Sequence, residues 1–485
     1  MGFNYNSVII ILGKLLVLIG LSMFLPLIAA FVYQEPEGIY SFSMVIFPSI
    51  ILGSIIVYKV QPSLQVIKIR DGFLTVAAVW LLASFIGALP FTLAGSMTYV
   101  DALFEMASGF TTTGASILTD VEVLPMSLLF WRSFTHWLGG LGIVIFAIAL
   151  LPQLNIGGYN IVRAETPGPS FEKLSPKLKD QSRILFIVYM VMTISEIILL
   201  KLGRLTWFES LVYTFGSVGT GGFAPYNNSV GHFNGSYVPI VITIFMAMGG
   251  GSLSLYYSSF RFGISKLLRD SEFKCYLAII TLSTLAIAID LILMNVYTNG
   301  IALRESLFQV TSIITTTGYA TVDYDLWPTF AKCILFALYL CGGCSGSTGG
   351  GIKVIRVLVI LKFIRRGILV RLHPNAVIDV KLADKPMPAD VVSAIAGFAF
   401  LYLTTTVISG AVISLDGFDL ITSFSAAFAC IGNVGPGFNL VGPVLNYSIF
   451  SDWSKLLLTL LMIAGRLELF TIFMLFTPRF WNKNR

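Results

Sequence analysis

The chain has 485 residues, of which 56% are hydrophobic and only 12% charged, and its formal net charge is +6 at pH 7. Its mean hydropathy is +0.85, whereas soluble domains carry about a quarter of their residues as charges, so a soluble globular fold is excluded. The basic excess is scattered over short connections with no basic domain, which speaks against a nucleic-acid surface and matches the positive-inside pattern of membrane proteins.

In chain order, long apolar stretches lie near residues 7–31, 41–58, 72–92, 128–151, 183–201, 237–260, 273–296, 328–364, 390–414 and 453–477. Each is long enough to cross a ~30 Å hydrocarbon core as a helix. The first has too long an apolar run for a signal peptide and no small-residue cleavage site after it, so it is expected to be a retained helix. Connections near Lys68 to Arg70, Arg163 to Arg183, Arg261 to Lys274 and Lys362 to Lys385 are basic, whereas the alternate ones carry Glu35, Glu37, Asp120, Glu122, Asp323 and Asp325. Both termini are therefore expected on the cytoplasmic side. The tail with Arg479, Lys483 and Arg485 agrees.

Four shorter segments, 101–110, 206–217, 303–314 and 418–430, lie between full spans on the acidic, outer side. They are too short to cross, and re-entrant half-helices are expected. Each runs into a glycine-ended stretch: Phe110-Thr111-Thr112-Thr113-Gly114, Val218-Gly219-Thr220-Gly221-Gly222, Ile314-Thr315-Thr316-Thr317-Gly318 and Ile431-Gly432-Asn433-Val434-Gly435. The final glycines are spaced 108, 96 and 117 residues apart, so one span-loop-span unit recurs four times. Asp101, Glu209 and Glu305 each stand 13 residues before their glycine, a position expected at the start of the half-helix, where an anion complements the dipole. Asp419 lies 16 residues before Gly435, which leaves Gly432 as an alternative anchor in the fourth unit.

A half-helix entering from outside points its partially negative C-terminus at the midplane, where a cation is otherwise costly. The Thr/Gly strand that follows can turn backbone carbonyls toward an axis and replace an ion's hydration shell. One T-T-T-G alone reads as an ordinary helix C-cap; four at matching positions read as a selectivity filter.

The eighth span breaks into Cys341-Gly342-Gly343-Cys344-Ser345-Gly346-Ser347-Thr348-Gly349-Gly350-Gly351, then Ile352 and Lys353. Glycine costs a helix about 1 kcal/mol relative to alanine, so this run is expected to open into a loop beneath the filter and to act, with Lys353, as a mobile barrier. A phosphate-binding loop needs Gly-Lys-Ser/Thr in succession, and Ile352 interrupts it. Close helix packing through glycine is the plain alternative. Arg466, inside the last span, is expected to form an electrostatic barrier below the filter, or else to be neutralised by Glu468 or another acid. Lys14, Glu196 and Asp290 are expected to snorkel or pair locally.

Cys275, Cys333, Cys341, Cys344 and Cys430 all lie in or beside apolar segments, so no disulfide framework is expected, and the single C-x-x-C lacks the partners of a zinc site. His136, His232 and His373 share no ligand spacing, and no hydrolase motif occurs, so an enzyme is not expected.

Trp131-Arg132-Ser133 through Trp137-Leu138-Gly139-Gly140-Leu141-Gly142-Ile143, the loop Arg163-Ala164-Glu165-Thr166-Pro167-Gly168-Pro169 and the four glycine-ended strands are together similar to motifs of the Trk/Ktr/HKT superfamily of cation transporters. The chain most resembles the bacterial Trk-type potassium uptake membrane subunits. The resemblance implies an all-α integral membrane protein with four pseudo-symmetric helix-pore loop-helix repeats around a central pore, plus two extra N-terminal transmembrane helices. The expected division is residues 1–60 for the extra pair, then repeats at 61–165, 166–265, 266–375 and 376–485. It further implies potassium as the substrate with no organic cofactor, the bacterial cytoplasmic membrane as location, a homodimer, and a cytosolic nucleotide-binding regulatory partner resembling a TrkA ring. A glycine in all four strands goes with potassium preference in that family. A symporter coupling potassium to protons or sodium is the alternative; broken-helix transporters of that kind have inverted repeats, whereas these repeats share one orientation.

Overall fold

The computed structural model describes residues 3–61, 68–142, 178–376, 378–382 and 385–481. It is helical almost throughout, because in lipid only a helix satisfies every backbone polar group within its own segment. The one sheet among the described residues is a two-residue antiparallel pairing, Lys381–Leu382 with Lys385–Pro386.

The N-terminal pair is α1 (Tyr5–Ser22), continued by α2 (Phe24–Val32), and α3 (Pro36–Lys59). α1 and α3 pack closely because Gly13, Gly20 and Gly53 line the crossing. A methyl group added to Gly53 would stand 2.6 Å from the Gly13 carbonyl oxygen, the small-residue device by which helices associate in lipid.

Four units follow, each an outer helix, a re-entrant helix and an inner helix. The first is α4 (Ile69–Leu93), α5 (Tyr99–Phe110) and α6 (Met126–Gly140); the second is α7 (Leu178–Leu202), α8 (Trp207–Val218) and the pair α9 (Tyr237–Gly249) and α10 (Leu253–Phe262). After the short α11 (Ser265–Arg269), the third has α12 (Ser271–Leu293), α13 (Asn299–Ile314) and an inner segment split into α14 (Thr329–Leu338) and α15 (Val354–Leu372). The fourth has α16 (Ala389–Ile413), α17 (Leu420–Gly432), α18 (Asp452–Arg466) and α19 (Leu469–Leu475), with α20 (Pro478–Trp481) at the end.

Among the described residues six helices are long and apolar enough to cross a membrane, eight if each of two bent pairs is one span. The remaining expected spans are α6, whose continuation beyond residue 142 lies outside the described residues, and the glycine-split 328–364. Residues 163–169 of the expected motif also lie outside them, as do Lys483 and Arg485.

The structure corrects two expected spans. The stretch 237–260 is bent by 90° between α9 and α10, where Gly249, Gly250 and Gly251 follow one another. The stretch 453–477 is bent by 117°, with Glu468 at φ +64°. Arg466 is therefore the last residue of α18 rather than mid-span.

The re-entrant helices start as their polar residues dictate. Thr98 accepts from the Asp101 N–H, and Thr206 forms a reciprocal capping box with Glu209, satisfying N–H groups that have no helical partner. Asp419 is itself the N-cap of α17, accepting from Ile421 and Thr422. Glu305 departs from expectation: α13 begins at Asn299, an extra turn earlier, so Glu305 lies inside the helix, paired with Arg304 at 2.5 Å and accepting from the Thr321 hydroxyl.

Candidate functional site

All four re-entrant helices end in the same way. Thr112, Thr220, Thr316 and Asn433 take φ of +55, +53, +59 and +54°. Each donates its N–H to the carbonyl three residues back, and the next residue donates five back: Thr112 to Gly109 at 3.1 Å and Thr113 to Ser108 at 2.9 Å, Thr316 to Ile313 at 3.0 Å and Thr317 to Ser312 at 2.9 Å, with the same pairs from Thr220 and Asn433. This is the Schellman closure of a helix C-terminus, so the plain C-cap reading holds for every strand taken singly. A threonine in the left-handed region is strained by roughly 1–3 kcal/mol and persists only where its surroundings enforce it, as at functional sites.

Two residues further on, Gly114, Gly222, Gly318 and Gly435 take φ of +82, +82, +80 and +98°. The fourth unit thus matches the others through Gly435, while Gly432 stays inside α17. The four glycines interlock. A methyl group on Gly114 would stand 2.1 Å from the Gly221 oxygen, on Gly222 2.0 Å from Thr317, on Gly318 2.2 Å from Val434, and on Gly435 2.6 Å from Thr113. Each glycine therefore abuts the carbonyl that precedes the glycine of the next unit, and the chain of contacts closes after four.

The strand side chains are fully buried and tied down. Thr111 and Thr315 donate to Ala107 and Thr311, and their hydroxyls meet those of Thr113 and Thr317 at 2.7 and 2.8 Å. Asn433, which breaks the threonine pattern, donates its amide to Thr113 Oγ1 and to the Met462 carbonyl, both at 2.9 Å. Glycines on the inner helices make room: a methyl group on Gly139 would collide with the Phe110 oxygen at 1.8 Å, and one on Gly465 with the Ile431 oxygen at 2.0 Å.

The glycine-rich loop between α14 and α15 sits against the inner ends of these strands. Thr348 donates to Val218 and Gly249 carbonyls at 3.1 and 3.0 Å and meets Thr220 Oγ1 at 3.1 Å. The Gly350 N–H donates to Thr316 Oγ1 at 2.7 Å, and the Cys344 N–H to the Gly250 carbonyl at 2.7 Å. Lys353, at φ +80°, turns back so that Nζ donates to Ser347 Oγ at 3.2 Å and to the Gly349 carbonyl. Ser345 and Ile355 give their N–H groups to Glu272 Oε1 at 2.6 and 3.2 Å. Gly343 accepts from Val354 and Gly346 from Leu253, at 3.0 and 3.2 Å.

Arg466 joins loop, strand and inner helix. Its guanidinium donates to Thr112 Oγ1 at 3.2 Å, to the Thr348 carbonyl at 2.6 Å, and to the Gly139 and Gly140 carbonyls at 2.6 and 3.1 Å. Glu468, considered from the sequence as its neutraliser, pairs with Arg356 instead. Glu196 pairs locally, accepting from Ser217 at 2.5 Å.

Sequence reasoning gave no role to Glu272, nor to the polar set behind the first two strands, Glu105, Arg132 and His136. For Arg132 and His136 a signal existed: they stand four apart in one span and so share a helix face. Gly249, Gly250 and Gly251 carry a further signal, since three consecutive glycines inside a span mark a break.

Comparison with known proteins matches residues 40–483 to the TrkH family, described as cation transport protein. The chain is 34% identical over 487 residues to the Trk system potassium uptake protein TrkH of Salmonella typhimurium, covering 99% of this chain and 100% of that protein. It is 34% identical over 474 residues to the Trk system potassium uptake protein TrkG of Escherichia coli, covering 97% of each. The crystal structure of the potassium transporter TrkH from Vibrio parahaemolyticus is similar at a TM-score of 0.89 and 32% identity, covering 99% of this chain and 100% of that one.

Proposed function

The chain belongs to the TrkH family of cation transport proteins, and on that premise we propose that it takes up potassium across the bacterial cytoplasmic membrane through a channel-like path. The filter consists of Thr111 to Gly114, Gly219 to Gly222, Thr315 to Gly318 and Gly432 to Gly435. Their carbonyls stand in for the ion's hydration shell, and the C-termini of α5, α8, α13 and α17 lend negative potential. The observation that carries this reading is the closed ring in which Gly114, Gly222, Gly318 and Gly435 each lean on a carbonyl of the next unit.

Below the filter, residues Gly343 to Gly350 with Lys353 and Arg466 form the gate. What supports it is that one segment contacts strands two, three and four and, through Arg466, strand one. The four units correspond to residues 61–165, 166–265, 266–375 and 376–485, behind an extra helix pair at 1–60. Both termini face the cytoplasm, two copies associate, and a cytosolic nucleotide-binding ring regulates the gate.

Purified protein in liposomes tests the mode of transport. Rubidium uptake should follow the cation gradient alone. Uptake that requires an imposed proton or sodium gradient would make the protein a symporter and overturn the channel-like path.

A further inference from the structure

Phe223 follows the glycine that ends the second strand and is buried. Its ring is held between two side chains one turn apart on α6: the Arg132 guanidinium lies 3.6 Å from the ring centroid and the His136 ring centroid 4.1 Å away. The backbone is gripped as well. The Phe223 N–H donates to His136 Nε2 at 3.2 Å, and Arg132 donates to the Ala224 carbonyl at 3.0 Å. Because Nε2 accepts, the imidazole proton sits on Nδ1, which donates to the Gly109 carbonyl at 2.8 Å. A methyl group on Gly221 would lie 2.2 Å from the same ring, so the second strand rests directly on the imidazole.

The same helix face holds the first strand. Arg132 Nε donates to Glu105 at 2.5 Å, and Glu105 accepts from Ser116 Oγ at 3.1 Å and the Ile117 N–H at 3.0 Å, just beyond Gly114. Strands three and four are held differently. The Tyr319 hydroxyl donates to the Tyr213 and Phe223 carbonyls, both at 3.1 Å. Tyr447 donates to Gly435 at 2.7 Å and Tyr339 to Pro436 at 2.5 Å.

We propose that His136 is a positioning residue for ion selectivity, and that its Nε2, by fixing the Phe223 backbone, sets the carbonyl positions of Gly221 and Gly222. The inference rests on the filter reading above. Carbonyls that replace an ion's hydration shell are aimed by the backbone that carries them, and a buried N–H left without an acceptor draws its strand toward another partner. Arg132 and Phe223 supply the packing; among the described residues, the imidazole supplies the one bond from α6 to an N–H at the end of that strand.

The test separates the two ring nitrogens. Gln places an amide oxygen near the position of Nε2, whereas Asn replaces Nδ1 and leaves the Phe223 N–H without an acceptor. Potassium-to-sodium permeability ratios are read from reversal potentials of purified protein in planar bilayers, with Gly222→Ala as the filter control. His136→Gln should hold the parent ratio within about twofold and His136→Asn should lower it about tenfold, the scale of one buried hydrogen bond. Replacing the Phe223 amide by an ester, through incorporation of the α-hydroxy acid, removes the N–H and also weakens the Gly222 carbonyl, so it should lower the ratio at least as far as His136→Asn does. If His136→Asn fails to assemble, an unchanged ratio in the ester variant by itself overturns the role of His136. A lowered ratio in Gly222→Ala with no change in the Asn or ester variants overturns the role of His136 and leaves the filter standing. Equal losses in Gln and Asn overturn it too, by showing that ring packing is what counts. An unchanged ratio in Gly222→Ala contradicts the filter reading itself.

Discussion

Gly318 has no room for a side chain on either count, conformation or space. Its φ is +80° and a Cβ would meet the Val434 oxygen at 2.2 Å, so Gly318→Ser must push two strands apart. Gly114→Ser repeats the conflict with Gly221. Both variants should lower the potassium-to-sodium permeability ratio severalfold; an unchanged ratio in both removes the filter assignment. Arg466 makes the opposite prediction. Glu468 pairs with Arg356, and the Arg466 guanidinium donates to carbonyls and to Thr112; in the proposed gate its charge repels a cation entering from the filter. Arg466→Gln should raise flux and leave the permeability ratio alone, because the barrier lies outside the carbonyl sites. Arg466→Ala should also cost about 2 kcal/mol of stability through lost charge-assisted bonds, read as a lower melting temperature in detergent. A well-folded Arg466→Gln protein with unaltered or reduced flux contradicts the barrier.

At the scale of elements, the loop between α14 and α15 is tied down by three side chains: Thr348 donates to the Val218 and Gly249 carbonyls, Glu272 accepts from the Ser345 and Ile355 N–H groups, and Lys353 donates to the Gly349 carbonyl. Deleting residues 345–349 should raise basal flux severalfold, and Glu272→Ala, which strips acceptors from the Ser345 and Ile355 N–H groups, should raise it by a smaller factor. If the deletion variant runs as a sharp size-exclusion peak and conducts no faster than the parent, the loop is not the gate. That this segment leaves the helix was legible from its glycines, since backbone propensity is local. Where its donors go was not legible: Glu272, Gly250 and Thr220 are remote in sequence and meet the loop only through the arrangement of the units. The same limit hid the bends. Gly249 to Gly251 carry a local signal, but the turn at Glu468 has no glycine, and its left-handed backbone follows from where α18 must stop beneath the fourth strand. Glu305 shows the reverse error. A spacing shared by three acids pointed to three helix starts, yet Thr298 and Asn299 begin α13 one turn earlier.

For the whole molecule, hydropathy marked the six long spans and the two bent pairs found among the described residues, because a lipid-facing helix must be apolar along its length. The fourfold recurrence was equally visible, because a repeated unit repeats its turn chemistry. What no single segment contains is closure: each glycine's contact lies in a different unit, and the ring from Gly114 to Gly221, Gly222 to Thr317, Gly318 to Val434 and Gly435 to Thr113 exists only once four units surround one axis. The choice of Gly435 over Gly432 follows from backbone conformation alone, since Gly435 stands two residues past the left-handed Asn433 as its counterparts do, but the distinction between four separate helix caps and one closed ring depended on closure. Selectivity by that ring is the central claim, and competition for flux tests it most directly. Rubidium uptake into liposomes bearing the parent protein should be suppressed by excess potassium and barely affected by equal sodium, while Gly318→Ser protein should be suppressed by both. Equal suppression of the parent by sodium and potassium would contradict the account.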